Sequence, residues 1–194
     1  RHASSDRDWS SDVCSSDLNA NEVDKTIYEL LVAPRPDIRS AVRPTSSPGM
    51  DIVPANIDLS AAEVQLVNEV AREQALARVL RPVTDDYDVI LVDCQPSLGL
   101  LTINALTASH GVIIPLETAF FALRGVALLV ETVDRVRDRL NPRLQIDGIL
   151  ATMVDQRTLH SREVIERLEQ AFGNKLYDTR IRRTVKFPDA SVAA

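Results

Sequence analysis

The sequence is poor in glycine, lysine and cysteine, and each scarcity excludes a kind of site. Its 194 residues include six glycines, no two of them close together, and three lysines. None of the lysines follows a glycine and precedes serine or threonine, so these residues contain no glycine-rich loop of the kind that holds phosphates. The two cysteines do not make a disulfide framework, which favours a reducing cytoplasm.

Long apolar runs and excess positive charge are also lacking. The longest apolar runs, such as Gly111 to Leu116, are too short to cross a bilayer, and the first residues show no secretory signal pattern. We therefore expect no membrane association. A net charge of −6 argues against a general nucleic-acid coat protein but is compatible with a local basic patch.

Residues 1–18 differ from the remainder of the chain. The triplet Ser-Ser-Asp begins at Ser4, Ser10 and Ser15, inside a polar segment without helical or strand periodicity. One interpretation is a disordered natural tail. We favour a non-native segment, such as a translated cloning or sequencing scar, and expect the folded domain over residues 19–194.

From residue 50 onward, apolar runs of strand length alternate with amphipathic helices. A long helix is predicted from Ser60 to Pro82, and shorter helices over 98–109, 122–140 and 161–172. This alternation predicts an α/β fold with a doubly wound, mostly parallel sheet and helices on both faces. The predicted strands are Met50–Pro54, Val89–Asp93, Val112–Leu116, Ile146–Val154 and Leu176–Ile181.

One carboxylate stands where such a sheet would bind ligands. Ligands of open parallel sheets lie at the carboxyl ends of the strands, and Asp93 directly follows the apolar run Val89–Val92. A buried carboxylate is costly unless something compensates its charge, and hydrated Mg²⁺ is a natural compensator beside a nucleotide. The alternative is that Asp93 caps the helix that follows.

The residues around Asp93 resemble the Walker B region of the ParA/Soj family of partitioning ATPases. Several separated motifs occur in the same order as in that family, which makes the resemblance specific over residues 19–194; Gln95 departs from the family's usual second proline. The matching segments are Tyr87–Leu106, Ile113–Glu117, Ala122–Gly125, Asn141–Pro142, Gly148–Asp155, and Ile52–Asn56 with Leu59 and Glu63.

The resemblance implies a P-loop NTPase fold and specific roles for single residues. Asp93 would be the Walker B residue that contacts Mg²⁺ through water. Arg157 and Lys186 match positions that bind DNA nonspecifically. Met153 ends a strand, where contact with the base and packing in the core fit equally well, and Arg183, like Arg182, is a candidate for adenine or dimer contacts.

The resemblance also implies a cycle that this chain alone is not expected to complete. The whole protein would use ATP and Mg²⁺, dimerise, bind DNA and segregate a chromosome or plasmid with a ParB-type partner, in the cytoplasm at the nucleoid. Because the family's phosphate-binding loop, second strand and C-terminal helices find no match, we expect a truncated, inactive chain without a cofactor. A MinD-like ATPase and a noncatalytic DNA- or protein-binding relative are the alternatives.

Overall fold

The computed structural model describes residues 23–117, 122–155, 157 and 159–184. The described residues divide into two compact units, 23–64 with 184, and 65–183. The helices are α1 (Ile27–Val32), α2 (Leu59–Gln65), α3 (Ala75–Leu80), α4 (Leu100–Ala108), α5 (Ala122–Arg139) and α6 (Leu159–Phe172). The strands are β1 (Arg43–Pro44), β2 (Asp51–Ile52), β3 (Gly111–Glu117), β4 (Gln145–Val154) and β5 (Leu176–Arg182).

In the first unit, helix α1 begins with a reciprocal cap. The backbone N–H of Thr26 donates to Glu29 Oε2 at 2.7 Å, and the Thr26 hydroxyl accepts from the N–H of Tyr28 at 3.3 Å. Burial opposes the charge of Glu29, but the hydrogen bonds from Thr26 outweigh it and lower the pKa of the carboxyl. This local chemistry sets the start of the helix.

A short antiparallel hairpin follows, and it corrects one predicted strand. Strand β1 pairs antiparallel with β2 across a turn in which Gly49 adopts φ +80°. Thr45 Oγ1 donates to the carbonyl of Met50 at 2.8 Å and closes the turn. The prediction that Met50–Pro54 joins the parallel sheet is wrong, because the adjacent turn pairs this segment with β1 instead.

The predicted long helix from Ser60 to Pro82 is also wrong. Helix α2 ends at Gln65, Ala71 adopts a left-handed conformation with φ 55°, and α3 begins only at Ala75. A continuous helix would have placed Val64 and Val67 inside, yet both are exposed. The interruption changes the helical phase, so that Leu76 and Val79 are buried in α3 instead.

The second unit contains a parallel sheet in the order β3-β4-β5. Helix α5 connects β3 to β4 and helix α6 connects β4 to β5, which is the crossover arrangement that parallel neighbours require. The predicted strands over 112–116, 146–154 and 176–181 are confirmed, as is the α/β fold. Gly173, at φ +50°, follows the last residue of α6 and terminates it.

The core of this unit lies on one face of the sheet. Side chains of β3 and β4 pack there against α5 and α6, whereas Ile113, on the opposite face of β3, is 51% exposed. The apolar stripe predicted for α5 is confirmed, since Val126, Val133 and Val136 are buried. The central cluster consists of Ile114, Leu116, Val126, Ile149, Val164 and Leu168.

The predicted strand Val89–Asp93 is not a strand. The segment has no regular secondary structure, and Val89 and Leu91 are 70% and 83% exposed. Within the described part of the chain, the sheet has three strands, and neither edge pairs with this segment. An apolar run becomes a strand only when a neighbouring strand satisfies its backbone groups, and none does so here.

Candidate functional site

The carboxyl edge of the parallel sheet brings several predicted site residues close together. Val154, the last residue of β4, is in register with Arg182, the last residue of β5. The backbone N–H of Arg183 donates to the carbonyl of Val154 at 3.2 Å, which extends the pairing one residue beyond β5. The turn after β4 and the end of β5 therefore lie side by side at the edge where open sheets bind ligands.

Met153 occupies an unusual conformation at this edge. Its φ is 53°, in the left-handed region that residues with a Cβ rarely adopt, and its side chain is 41% exposed. The β4–β5 register shifts between Ala151 and Val154, so the strain coincides with an irregularity in the ladder. Such strain is concentrated at ligand sites, and the exposure of Met153 removes core packing as its explanation. Its contact with a nucleotide base stays a prediction.

The basic residues at this edge differ in how their charges are compensated. Arg180 donates to Glu169 Oε1 at 2.9 Å. The side chains of Arg157, Arg182 and Arg183 are exposed and form no ion pair with any residue that the structure describes. Their charges are thus available to an anionic ligand. Lys186, the other predicted DNA-binding residue, lies outside the described residues.

Arg157 is presented by a short turn. Its backbone N–H donates to Asp155 Oδ1 at 3.0 Å, two residues earlier, which is the Asx-turn geometry that follows many strands. The carboxylate of Asp155 is engaged by the backbone in this bond, and the Arg157 side chain extends from the turn into solvent.

Asp93 does not sit at the end of a strand. It belongs to a run, residues 88–98, in which every residue is exposed. The prediction that Asp93 ends a buried strand is wrong, because the run before it lacks strand neighbours. Its role as the Walker B carboxylate stays a prediction, since the location of the side chain relative to bound phosphate is a property of the nucleotide complex.

The described residues do not by themselves group the ligands of a magnesium–nucleotide site. Across residues 23–117, 122–155, 157 and 159–184, no three His, Cys, Asp or Glu side chains are grouped as metal ligands. A Walker B carboxylate holds Mg²⁺ together with phosphate oxygens and a hydroxyl of the phosphate-binding loop, and the sequence has no such loop. Asp93 supplies one carboxylate of that set.

The structure corrects the expectation that Cys94 is buried. The sequence suggests a small buried residue without a nucleophilic role, but Cys94 is exposed. Desolvation of the sulfur by surrounding atoms, reinforced by the negative charge of Asp93, raises the pKa of the Cys94 thiol.

Asn104 is a buried polar residue to which the sequence analysis assigns no role. It is 1% exposed, and its Oδ1 accepts from the N–H of Leu76 at 3.0 Å. Its Nδ2 donates to the carbonyls of Arg72 and Leu100 at 2.9 and 3.0 Å. The sequence contains one signal for this role: Asn104 is a single amide side chain among the apolar positions of α4, and a buried amide requires hydrogen-bond partners.

This unit is an α/β structure whose parallel sheet presents a strained residue and uncompensated arginines at its carboxyl edge. A family model for an AAA domain matches residues 6–146. The chromosome partitioning protein ParA of Caulobacter vibrioides is 39% identical, over 91% of this chain and 67% of its own length. The chain belongs to the ParA/Soj family of P-loop ATPases.

Two further comparisons bear on how much of the family's architecture the chain contains. An uncharacterized protein of Mycobacterium tuberculosis is 60% identical over 172 residues, 89% of this chain. The chain spans 54% of the length of that relative. A crystal structure of cobyrinic acid a,c-diamide synthase from Mycobacterium smegmatis, with bound ADP and magnesium, matches with a TM-score of 0.78 and 36% identity, covering 91% of this chain and 70% of that one.

Proposed function

We propose that this chain is part of a partitioning ATPase that segregates chromosomal or plasmid DNA. In complete form it dimerises on ATP and Mg²⁺, binds DNA nonspecifically at the nucleoid in the cytoplasm, and is stimulated by a ParB-type partner. Family membership supports this proposal, as does the identity to the Caulobacter partitioning protein. No helix among the described residues is long and apolar enough to cross a membrane.

The observation that carries the DNA-binding part is the exposed side chain of Arg157 at the sheet's carboxyl edge. Arg157 has no described acidic partner, although the chain as a whole is acidic with a net charge of −6. Cationic side chains on loops reach phosphates without disturbing the core. The resulting binding is independent of the DNA sequence and sensitive to salt. Lys186 is proposed to join this surface.

The nucleotide part of the proposal assigns Asp93 to Mg²⁺ through water, and Met153 and Arg183 to the nucleotide. We expect the chain by itself to bind Mg-ATP weakly, because its sequence has no loop whose backbone amides converge on phosphates. Calorimetric titration with Mg-ATP tests this, and binding in the micromolar range would contradict it.

The DNA test uses a chimera in which the N-terminal part of Caulobacter ParA precedes residues 23–194, so that ATP binding is restored. Arg157→Ala and Lys186→Ala should each weaken binding to all DNA sequences equally and reduce the salt slope by about one unit. Arg139→Ala, which removes a charge on helix α5, serves as the matched control. An unchanged affinity and slope in the double variant would mean that these residues are only a solvated charged surface.

Other functions make different predictions for the same chimera. A MinD-like ATPase would bind anionic vesicles in an ATP-dependent manner, and a noncatalytic relative would bind DNA or protein without any nucleotide effect. The likeness to cobyrinic acid a,c-diamide synthase suggests ATP-dependent amide formation as a further candidate. ATP-dependent retention on DNA, without vesicle binding or amide product, distinguishes the partitioning function from all three.

A further inference from the structure

The outward face of α3 and the turn before it carry charges that the partitioning function does not use. Gln74, Ala77, Arg78 and Arg81 recur at the spacing of one helical face. The opposite face is apolar, and its Leu76 and Val79 are buried. Since burial fixes the rotation of the helix, the two arginines are held toward solvent.

This face forms the wall of a concave site. A cavity of about 310 Å³ is lined by Ala71, Gln74, Ala77, Arg78 and Arg81. Neither Arg78 nor Arg81 forms an ion pair with any residue in the described ranges. By contrast, Arg72 is compensated by Glu73 at 3.0 Å. The cavity therefore holds two uncompensated cations in a chain whose net charge is −6.

Hydrogen bonds on its buried side hold the segment that forms the wall of the cavity. Asn104, on α4, accepts from the N–H of Leu76 and donates to the carbonyl of Arg72, so it ties the N-terminal half of the segment that carries the cavity to α4. The bond to Leu76 is buried and the bond to Arg72 is partly buried, and neither involves a side chain that lines the cavity. A preorganised wall loses little conformational entropy when a ligand binds.

The surroundings of the cations are aliphatic. Ala71 and Ala77 line the cavity, and Val70, the residue before Ala71, is 90% exposed. Proteins that bind single-stranded nucleic acids stack the bases on aromatic side chains, and none of the described residues that line the cavity is aromatic. Paired cations beside exposed aliphatic groups instead complement a peptide that carries both carboxylates and apolar side chains.

We propose that this cavity is a docking site for an acidic, apolar-containing peptide segment of a partner protein. The carboxylates of that segment pair with Arg78 and Arg81, the Gln74 amide donates to its backbone or side chains, and its apolar residues cover Val70 and the alanines. The site is separate from the arginines at the sheet's carboxyl edge, and its existence is independent of DNA binding.

The test uses the whole 194-residue chain and a fluorescein-labelled peptide of glutamate and leucine residues, followed by fluorescence anisotropy. The control peptide has glutamine in place of every glutamate. Arg78→Gln with Arg81→Gln should weaken binding of the acidic peptide by about tenfold, because two exposed ion pairs are lost. Arg139→Gln with Arg143→Gln removes the same charge outside the cavity and should leave the affinity unchanged.

A second variant makes the result independent of arginine removal. Ala77→Glu places a negative charge inside the cavity and should abolish binding of the acidic peptide while thermal unfolding shows the chain to be folded. Equal binding of the glutamine peptide, an equal loss in the Arg139/Arg143 variant, or unchanged binding in the Arg78/Arg81 variant would overturn the proposal. So would displacement of the peptide by a single-stranded oligonucleotide that binds more tightly, since the cavity would then be a nucleic-acid site.

Discussion

Strand β4 and the segment Val89–Val92 are both apolar runs that predict buried strands, but the structure treats them differently. In β4, Ile149 is 1% exposed and pairs with neighbours on both sides. In the other segment, Leu91 is 83% exposed and lies in no sheet. The difference shows that apolar composition alone does not make a strand: the backbone must also find partners, and it finds them only in β4.

The largest expected effect tests this contrast directly. Ile149→Ala should lower the free energy of unfolding by about 3 kcal/mol, because it leaves a cavity between the sheet and its helices. Leu91→Ala should change it by less than about 0.5 kcal/mol, since Leu91 is already solvated. Urea unfolding of both variants is the measurement. Equal losses would show that the Val89–Val92 segment is packed in solution.

A second substitution tests how much the hydrogen bonds of one buried side chain contribute to stability. Asn104→Ala removes three hydrogen bonds, one buried and two partly buried, from the N–H of Leu76 and the carbonyls of Arg72 and Leu100, at a cost of about 2.5 kcal/mol. Asn68→Ala, at an exposed position, is the matched control and should be nearly neutral. Thermal unfolding compares the two, and similar melting temperatures would mean that these bonds contribute nothing.

Two glycines sharpen the contrast between crowded and open positions. A Cβ on Gly148 would lie 2.6 Å from Cζ of Tyr177 and 3.0 Å from the carbonyl oxygen of Lys175, so Gly148→Ala should destabilise the sheet by about 2 kcal/mol. A Cβ on Gly125 in α5 meets nothing within 4 Å. Gly125→Ala should therefore stabilise the helix by up to about 1 kcal/mol. Opposite shifts in urea midpoint are expected, and shifts of the same sign would contradict the packing described for Gly148.

The smallest effect concerns the exposed segment. Because desolvation and the Asp93 charge raise the pKa of Cys94, its thiolate forms only at a higher pH than that of an ordinary cysteine. Asp93→Asn removes the repulsion, lowers that pKa, and should speed alkylation by iodoacetamide near neutral pH. Asp88→Asn is the charge-matched control, in a Cys14→Ser background that leaves a single thiol. No acceleration relative to this control would show that Asp93 is too far from the sulfur to act.

The sequence by itself determined the features that depend on neighbouring residues and on the periodicity of apolar residues. The β3–α5–β4–α6–β5 series followed from apolar runs alternating with helical stripes, and Gly173 marked the end of α6 because a left-handed residue suits glycine. The family also followed from the sequence, since the motifs around Asp93 and after Gly148 occur in the order found in ParA/Soj proteins. Each of these inferences needs only short-range information.

Only the tertiary structure decided which backbone groups are paired and which charges are compensated. It showed that Val89–Val92 has no strand neighbour, that the helix predicted from Ser60 breaks at Ala71, and that Asn104 holds the segment around α3 from behind. It also separated Arg180, which pairs with Glu169, from Arg182, which has no described partner. Pairing in a sheet and compensation of a charge join residues far apart in the chain, so their outcome depends on the fold and no local pattern records it.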